Sequence, residues 1–370
     1  MKMRVVGPML IALLSVLLSG CFFEGEQSLE KMDSPQNVEY TEETGEEATK
    51  QEAEKDSEKG ETNGEEPSDE EGEEVLEGTT KRQLYLLDQN GMVVPQTLEL
   101  PNISSKEVAE QALEYIVKGG PVTDILPNGF EAVLPAGTQI LGLNLLEDGT
   151  MVVDVSEEFA NYRPEDEQKI LQAMTFTLTQ FESVDRIKLW INGHEKEVMP
   201  VNGTPISDGV SRADGINIHA GDVVDLVDSK AVTLYYPAQN DKQEFYYVPV
   251  TTHLKSDEKK SYESIVQALL EGPAFELPLF TAFNKEAEIK GAELKDGVLT
   301  LSFNKALLSN EEKQSVSEPV MKSLVMTLTE QDGVDAVEVK VEGVEQVFGE
   351  NGESYAEPVT RSDVTGVESF

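Results

Sequence analysis

The chain has 370 residues, a formal net charge of -42 and a single cysteine, Cys21. Charge of that sign and size excludes nucleic acid as a ligand, because like-charged phosphates are repelled, and it disfavours adsorption of the protein surface to anionic lipid. One thiol leaves no intrachain disulfide, so packed cores must hold a chain whose length suits two domains.

Lys2 and Arg4 make a basic start, residues 8–18 are apolar, and Leu18-Ser19-Gly20-Cys21 follows. The apolar run has the length of a signal-peptide core and is short for a membrane span. The segment resembles the lipobox of bacterial lipoproteins. That resemblance implies a signal peptide over 1–20, cleavage before Cys21 and lipidation of its thiol. The other reading is an uncleaved anchor with an incidental cysteine, and under both the rest of the chain is exported. Several acyl chains, palmitate among them, on one residue would hold the protein firmly at the membrane.

Residues 21–81 are dominated by acidic runs such as Glu42-Glu43, Glu65-Glu66 and Asp69-Glu70-Glu71, with almost no aromatic side chains. So little apolar surface cannot offset the entropy of ordering, and like charges repel, so a disordered, extended acidic tether is expected. A flexible chain of this length spans roughly 40 Å. It reads either as a spacer holding folded domains off the lipid or as a solvated tail.

Ordered structure is expected from residue 82. Residues 82–87 are β-rich. Residues 104–118 read as a helix: Ser104-Ser105-Lys106-Glu107 fits a capping box, Val108, Ala112, Tyr115 and Ile116 share a face, and Gly119-Gly120-Pro121 stops it. After a loop and the Asp148-Gly149 turn, Met151, Val153 and Val155 alternate as in a strand. Pro164 opens a second helix in which Ile170, Met174 and Leu178 lie four apart, and Ile187, Leu189 and Ile191 mark a closing strand.

The same order then recurs. Residues 231–236 are β-rich, residues 261–271 are helical with Tyr262, Ile265 and Leu269 on one face, and Gly272-Pro273 stops them. Leu299, Leu301 and Phe303 alternate after Asp296-Gly297, Val320, Leu324 and Leu328 lie four apart in a helix beginning near Pro319, and Val337, Val339 and Val341 close the unit. Thr177-Leu178-Thr179 matches Thr327-Leu328-Thr329, Leu84-Tyr85 matches Leu234-Tyr235, and Val210-Ser211-Arg212-Ala213-Asp214 matches Val359-Thr360-Arg361-Ser362-Asp363. Markers in one order over such a length mean tandem copies, placed at 82–218 and 229–366. Few strands interleaved with helices give an α+β class, two β-α-β-β-α-β-like units each with a small sheet carrying two helices on one face.

The residues that carry a resemblance are Gly120-Pro121, Leu134-Pro135-Ala136-Gly137-Thr138, Asp148-Gly149, Thr177-Leu178-Thr179-Gln180-Phe181 and Ile191-Asn192-Gly193. They resemble the GerMN domain, and two ordered copies behind a lipobox are similar to the GerM-type spore lipoproteins. The second copy keeps Gly272-Pro273, Thr327-Leu328-Thr329 and Gly343 but has Thr281-Ala282-Phe283-Asn284 near the position of the Leu-Pro run, so that loop does not carry over. The resemblance implies sporulation and germination as the setting and a fold like the ring-building motif of secretion systems. It also implies a place between mother cell and forespore, where such proteins help assemble the transenvelope channel of the stage III A and stage II Q proteins. Homo-oligomeric stacking into a ring follows from the same likeness.

Chemistry is sparse. His194, His219 and His253 have no zinc-ligand spacing, no thiol is spare, and no nucleophile elbow or Walker loop occurs. A surface role is expected for each histidine, and no catalytic, cofactor-binding or metal-binding residue is expected. Asp222, Asp225 and Asp228 read either as an acidic linker or as a weak calcium cluster lacking alternate-residue spacing. Trp190 reads as an interface anchor or as packing. The functional expectation is a non-enzymatic assembly factor on the outer face of the cell membrane, with sporulation-channel proteins as partners. The alternative is a wall-associated hydrolase or a solute-binding lipoprotein, which requires a deep cleft between the units lined by converging carboxylates or aromatics.

Overall fold

The computed structural model describes residues 76–103, 107–219, 229–255 and 261–367. The signal segment, Cys21, the bulk of the acidic tether, Ser104 to Lys106 of the expected capping box, and Asp222, Asp225 and Asp228 lie outside the described residues.

The first repeat runs through β1 (Leu76–Asp88), β2 (Val93–Asn102), α1 (Val108–Glu114), β3 (Phe130–Glu131), β4 (Ile140–Leu145), β5 (Thr150–Val155), α2 (Glu167–Leu178), β6 (Arg186–Ile191), β7 (His194–Glu195) and β8 (Val210–Ser211). The second repeats the plan with β9 (Ser229–Gln239), β10 (Phe245–Lys255), α3 (Ser261–Glu271), β11 (Ile289–Lys295), β12 (Val298–Phe303), β13 (Ser315–Val316), α4 (Glu318–Leu328), β14 (Ala336–Val341), β15 (Phe348–Gly349), β16 (Val359–Thr360) and α5 (Arg361–Thr365). The α+β class stands.

The central strands of each repeat form a six-residue parallel pair, which requires a crossover. Thr150 to Val155 pair in register with Arg186 to Ile191, and α2 makes the connection. Val298 to Phe303 pair likewise with Ala336 to Val341 across α4. Leu299, Leu301, Phe303, Val337, Val339 and Val341 are buried, as are Met151, Val153, Val155, Ile187, Leu189 and Ile191, so both alternation patterns point at the core. Asp148-Gly149 and Asp296-Gly297 turn the chain into these strands. Gly149 has φ +77° and Gly297 +80°, and a Cβ on either would collide with the carboxylate of Asp185 or Asp335. The Asp185 and Asp335 amides donate to the Gly149 and Gly297 carbonyls, so the backbone itself closes there.

Three features differ from the sequence expectation. First, each β-rich start is a long antiparallel hairpin, β1–β2 and β9–β10, in a sheet separate from the one that carries the crossover. Proline obscures the second arms: Pro95 stands opposite Tyr85 and Pro249 opposite Tyr235. An edge strand tolerates the missing N–H, and both arms are edges. Second, α1 stops at Glu114 instead of reaching Lys118. The Ile116 carbonyl is taken by the Val133 and Leu134 amides, and Val117 bridges Leu134, so a tertiary pairing ends the helix early. Glu107 holds the N-cap position without a side-chain hydrogen bond. Third, one cluster of buried apolar side chains runs through both repeats, and the Pro164 turn is a short 3-10 segment before α2.

The Leu-Pro loop is a folded turn. Leu134 is fully buried, Gly137 has φ +83°, and the Thr138 hydroxyl donates to the Pro135 carbonyl at 2.7 Å. In the second copy Phe283 is the buried side chain of the corresponding loop.

Candidate functional site

The Thr-Leu-Thr motifs explain how each hairpin is fixed to its helix. Leu178 and Leu328 are fully buried, and the threonines flank them. Thr177 Oγ1 accepts the Tyr85 amide at 3.2 Å, and Thr327 Oγ1 accepts the Tyr235 amide at 2.9 Å. Thr179 and Thr329 turn the other way, each donating to a carbonyl one helical turn back, Thr175 or Val325, at 2.7 Å.

The second threonine of each motif also receives an arginine. Ser211 and Thr360 form capping boxes with Asp214 and Asp363, and these fix the short segments that begin at Arg212 and Arg361. Arg212 Nε donates to Thr179 Oγ1 at 2.9 Å and Nη2 to the Phe176 carbonyl at 3.3 Å. Arg361 Nη1 donates to the Met326 carbonyl at 2.9 Å and to Thr329 Oγ1 at 3.3 Å. Each guanidinium therefore caps the carbonyl end of its own repeat's helix, where the helix dipole favours a cation. Arg212 also stacks 4.6 Å from the Phe176 ring centre and Arg361 5.2 Å from that of Tyr235.

The two arginines meet at one carboxylate. Arg212 Nη1 reaches Glu330 Oε1 and Oε2 at 3.0 and 3.1 Å, and Arg361 Nη2 reaches Oε1 at 2.9 Å. The Tyr235 hydroxyl donates to Glu330 Oε1 at 2.6 Å and accepts from Arg361 Nη2 at 2.9 Å. The first repeat has Gln180 where the second has Glu330, and its amide donates to the Gln83 and Thr177 carbonyls instead. The repeats are thus joined by a 2:1 ion network whose only carboxylate comes from the second copy.

Burial alone would raise the Glu330 pKa, but Arg212 and then Arg361 outweigh it and hold the carboxyl down at about 2. Burial would lower both arginines; Glu330 chiefly reverses that for Arg212, and Tyr235 and then Glu330 reverse it for Arg361. Burial, then Glu330, pushes the Tyr235 phenol well above its ordinary value. No member of this set exchanges a proton near neutral pH, so it is suited to fixing geometry and recognising charge rather than to acid–base chemistry.

Other contacts tighten the same junction. Asn217, after the first repeat's last segment, accepts from the Val93 amide and donates to the Val93 and Pro249 carbonyls, at 2.9, 2.7 and 2.8 Å. Tyr246 donates to Asp88 at 2.8 Å and packs edge-on against Phe130. A cavity of about 240 Å³ opens beside the ion network, with Gln83, Thr179, Gln180, Thr329, Ser362 and Thr365 on its walls.

Within the first repeat, Glu167 is a fully buried carboxylate that accepts from the Tyr162 and Thr204 hydroxyls and from the Val201, Asn202 and Thr204 amides. It ties the 198–206 segment to the start of α2. Burial raises its pKa, and the Asn202 amide and Thr204 and Tyr162 hydroxyls more than reverse this.

The residues singled out from sequence do not converge. His194 is exposed, and His219 and His253 are partly buried, with His253 Nδ1 3.1 Å from the Ser229 hydroxyl. Trp190 is partly buried on β6 between Asp154 and Glu195. Among the described residues no group of three His, Cys, Asp or Glu side chains is placed to hold a metal. Arg212, Arg361 and Glu330 escaped the sequence reading as a site. The signal lay in the matched repeat ends and in the residue after Thr327-Leu328-Thr329, where one copy has an acid and the other its amide.

Comparison with known proteins gives a consistent result. A family model described as Germane, sporulation and spore germination, matches residues 83–197 and 233–347. The spore germination protein GerM of Bacillus subtilis (strain 168) is 44% identical over 361 residues, covering 96% of this chain and 96% of that protein. The solved structure of the tandem GerMN domains of GerM from Bacillus subtilis aligns at 48% identity with a TM-score of 0.70, covering 76% of this chain and 98% of that one.

Proposed function

The chain belongs to the Germane family of sporulation and spore germination proteins and is a homologue of GerM, and from that premise we propose that it is a non-enzymatic assembly factor of the sporulating cell envelope. In this reading Cys21 carries the lipid anchor on the outer face of the membrane, the acidic residues between Cys21 and β1 are the tether, which ends before Leu76 and not at residue 81, and the two repeats engage proteins of the stage III A–stage II Q channel, with stacking of copies into a ring as one mode.

The observation that carries the reading is an open, apolar sheet edge. Strand β4 ends the sheet β4–β5–β6–β7, and Leu141, Leu145 and Leu146 beside that edge are 48%, 43% and 41% exposed. Unpaired strand edges with exposed apolar side chains are templates for another chain. The junction supports the non-enzymatic half of the reading. A two-domain hydrolase would place free carboxylates there, whereas the buried carboxylates described at this junction are both already engaged, Glu330 by two guanidiniums and Asp88 by the Tyr246 hydroxyl.

The test is recovery of the tagged chain from sporulating cells. Stage III A or stage II Q proteins should accompany the native chain, and a Leu141→Lys, Leu145→Lys double variant should lose them while remaining folded. Native chain recovered free of every channel component would overturn the proposal.

A further inference from the structure

We propose that the cavity at the repeat junction is a binding site for one carboxylate or similarly small oxyanion. Charge counting carries it: Arg212 and Arg361 both face Glu330, so two positive groups share one negative group. Each arginine keeps 27% of its side chain exposed and contributes to the cavity wall, whereas Glu330 keeps 12%. An excess positive charge in a partly enclosed, low-dielectric site attracts an anion far more strongly than the same charge at an open surface.

The donors fit that ligand. Arg361 spends its Nη groups on Met326, Thr329, Tyr235 and Glu330, which leaves its Nε–H without a protein acceptor among the described residues. Ser362 and Thr365 place hydroxyls on the same wall. The Tyr85 hydroxyl is not on the cavity wall; it is fully buried, without a hydrogen-bond partner, and an electrostatic neighbour of both guanidiniums. Its counterpart Tyr235 is engaged on both sides. A cavity of about 240 Å³ has room for a carboxylate or a phosphate-sized ion together with several waters. The excess charge follows from the repeat asymmetry: had the first copy carried Glu in place of Gln180, the network would be balanced.

Two sources can supply this chemistry, a free small anion or an acidic side chain of a partner protein. The full chain is melted in chloride, then with acetate or inorganic phosphate replacing chloride at constant ionic strength. A saturable rise is expected, about 2–4 °C at ten times the Kd. Gln180→Glu supplies the missing carboxylate internally and should abolish the response, and Ser362→Asp, also on the cavity wall, should do the same. Tighter binding of a capped Glu-containing tripeptide than of acetate, with competition between them, identifies a partner's side chain as the source, and equal affinities identify a free ion. Absence of an anion-specific shift in the native chain, or a full response retained in both variants, overturns the proposal. The measurement uses the isolated protein, so it stands whether or not the assembly reading does.

Discussion

Replacing Glu330 by Gln tests whether the ion network sets the stability of the paired repeats. The change keeps side-chain shape and gives the second copy the residue the first already has at Gln180. It leaves two largely buried guanidiniums facing each other without a counter-charge. The folded carboxyl titrates at about 2 against an ordinary 4.5. That displacement corresponds to about 3 kcal/mol, and the loss expected on removing one partner of a buried ion pair is about 3–5 kcal/mol. The raised arginine pKa values are the same interaction seen from the other side and are not added. Because the folded pKa is depressed, this stability is present above pH 4.5 and is lost as pH falls from there through about 2. Denaturant unfolding of the full chain at pH 7 should therefore show Glu330→Gln about 3 kcal/mol less stable than the native protein, with the gap closing near pH 2. A loss below about 1 kcal/mol at pH 7, the size of an exposed ion pair, or a gap that persists at pH 2, would refute the reasoning.

Thr177→Val keeps volume but leaves the buried Tyr85 amide unpaired, and should cost about 1–3 kcal/mol by denaturant unfolding, whereas Thr177→Ser should cost much less. Glu167→Gln should loosen the 198–206 segment, seen as faster amide hydrogen exchange at Asn202 and Thr204; the native protein should show the same loosening as pH falls below the ordinary carboxylate range, because its folded pKa is also depressed. Gly149→Ala forces a side chain into a left-handed conformation and against Asp185, and should lower stability by about 1–3 kcal/mol in thermal melts. Cys21→Ala should move the protein from the membrane to the soluble fraction without altering the melting of the folded repeats, and unchanged membrane retention would dismiss the anchor.

The sequence by itself determined what local periodicity and repetition encode. Alternation at Leu299, Leu301 and Phe303 and four-residue spacing at Val320, Leu324 and Leu328 each assign an element because burial of one face is a local property of the chain. Matched markers 150 residues apart revealed the duplication, and with it the α+β class and the family likeness. Tertiary structure alone decided where α1 ends, because the competing pairing with Leu134 lies outside the helix, and it alone decided the fate of the proline-bearing arms β2 and β10. It also assembled the candidate site. Arg212, Glu330 and Arg361 are scattered over both copies, and nothing in the spacing of charged residues says which of many acids will meet which base. That choice is made by the depth of burial, which removes water as a competitor for the charges and is fixed only once both helices, both hairpins and the shared core have packed.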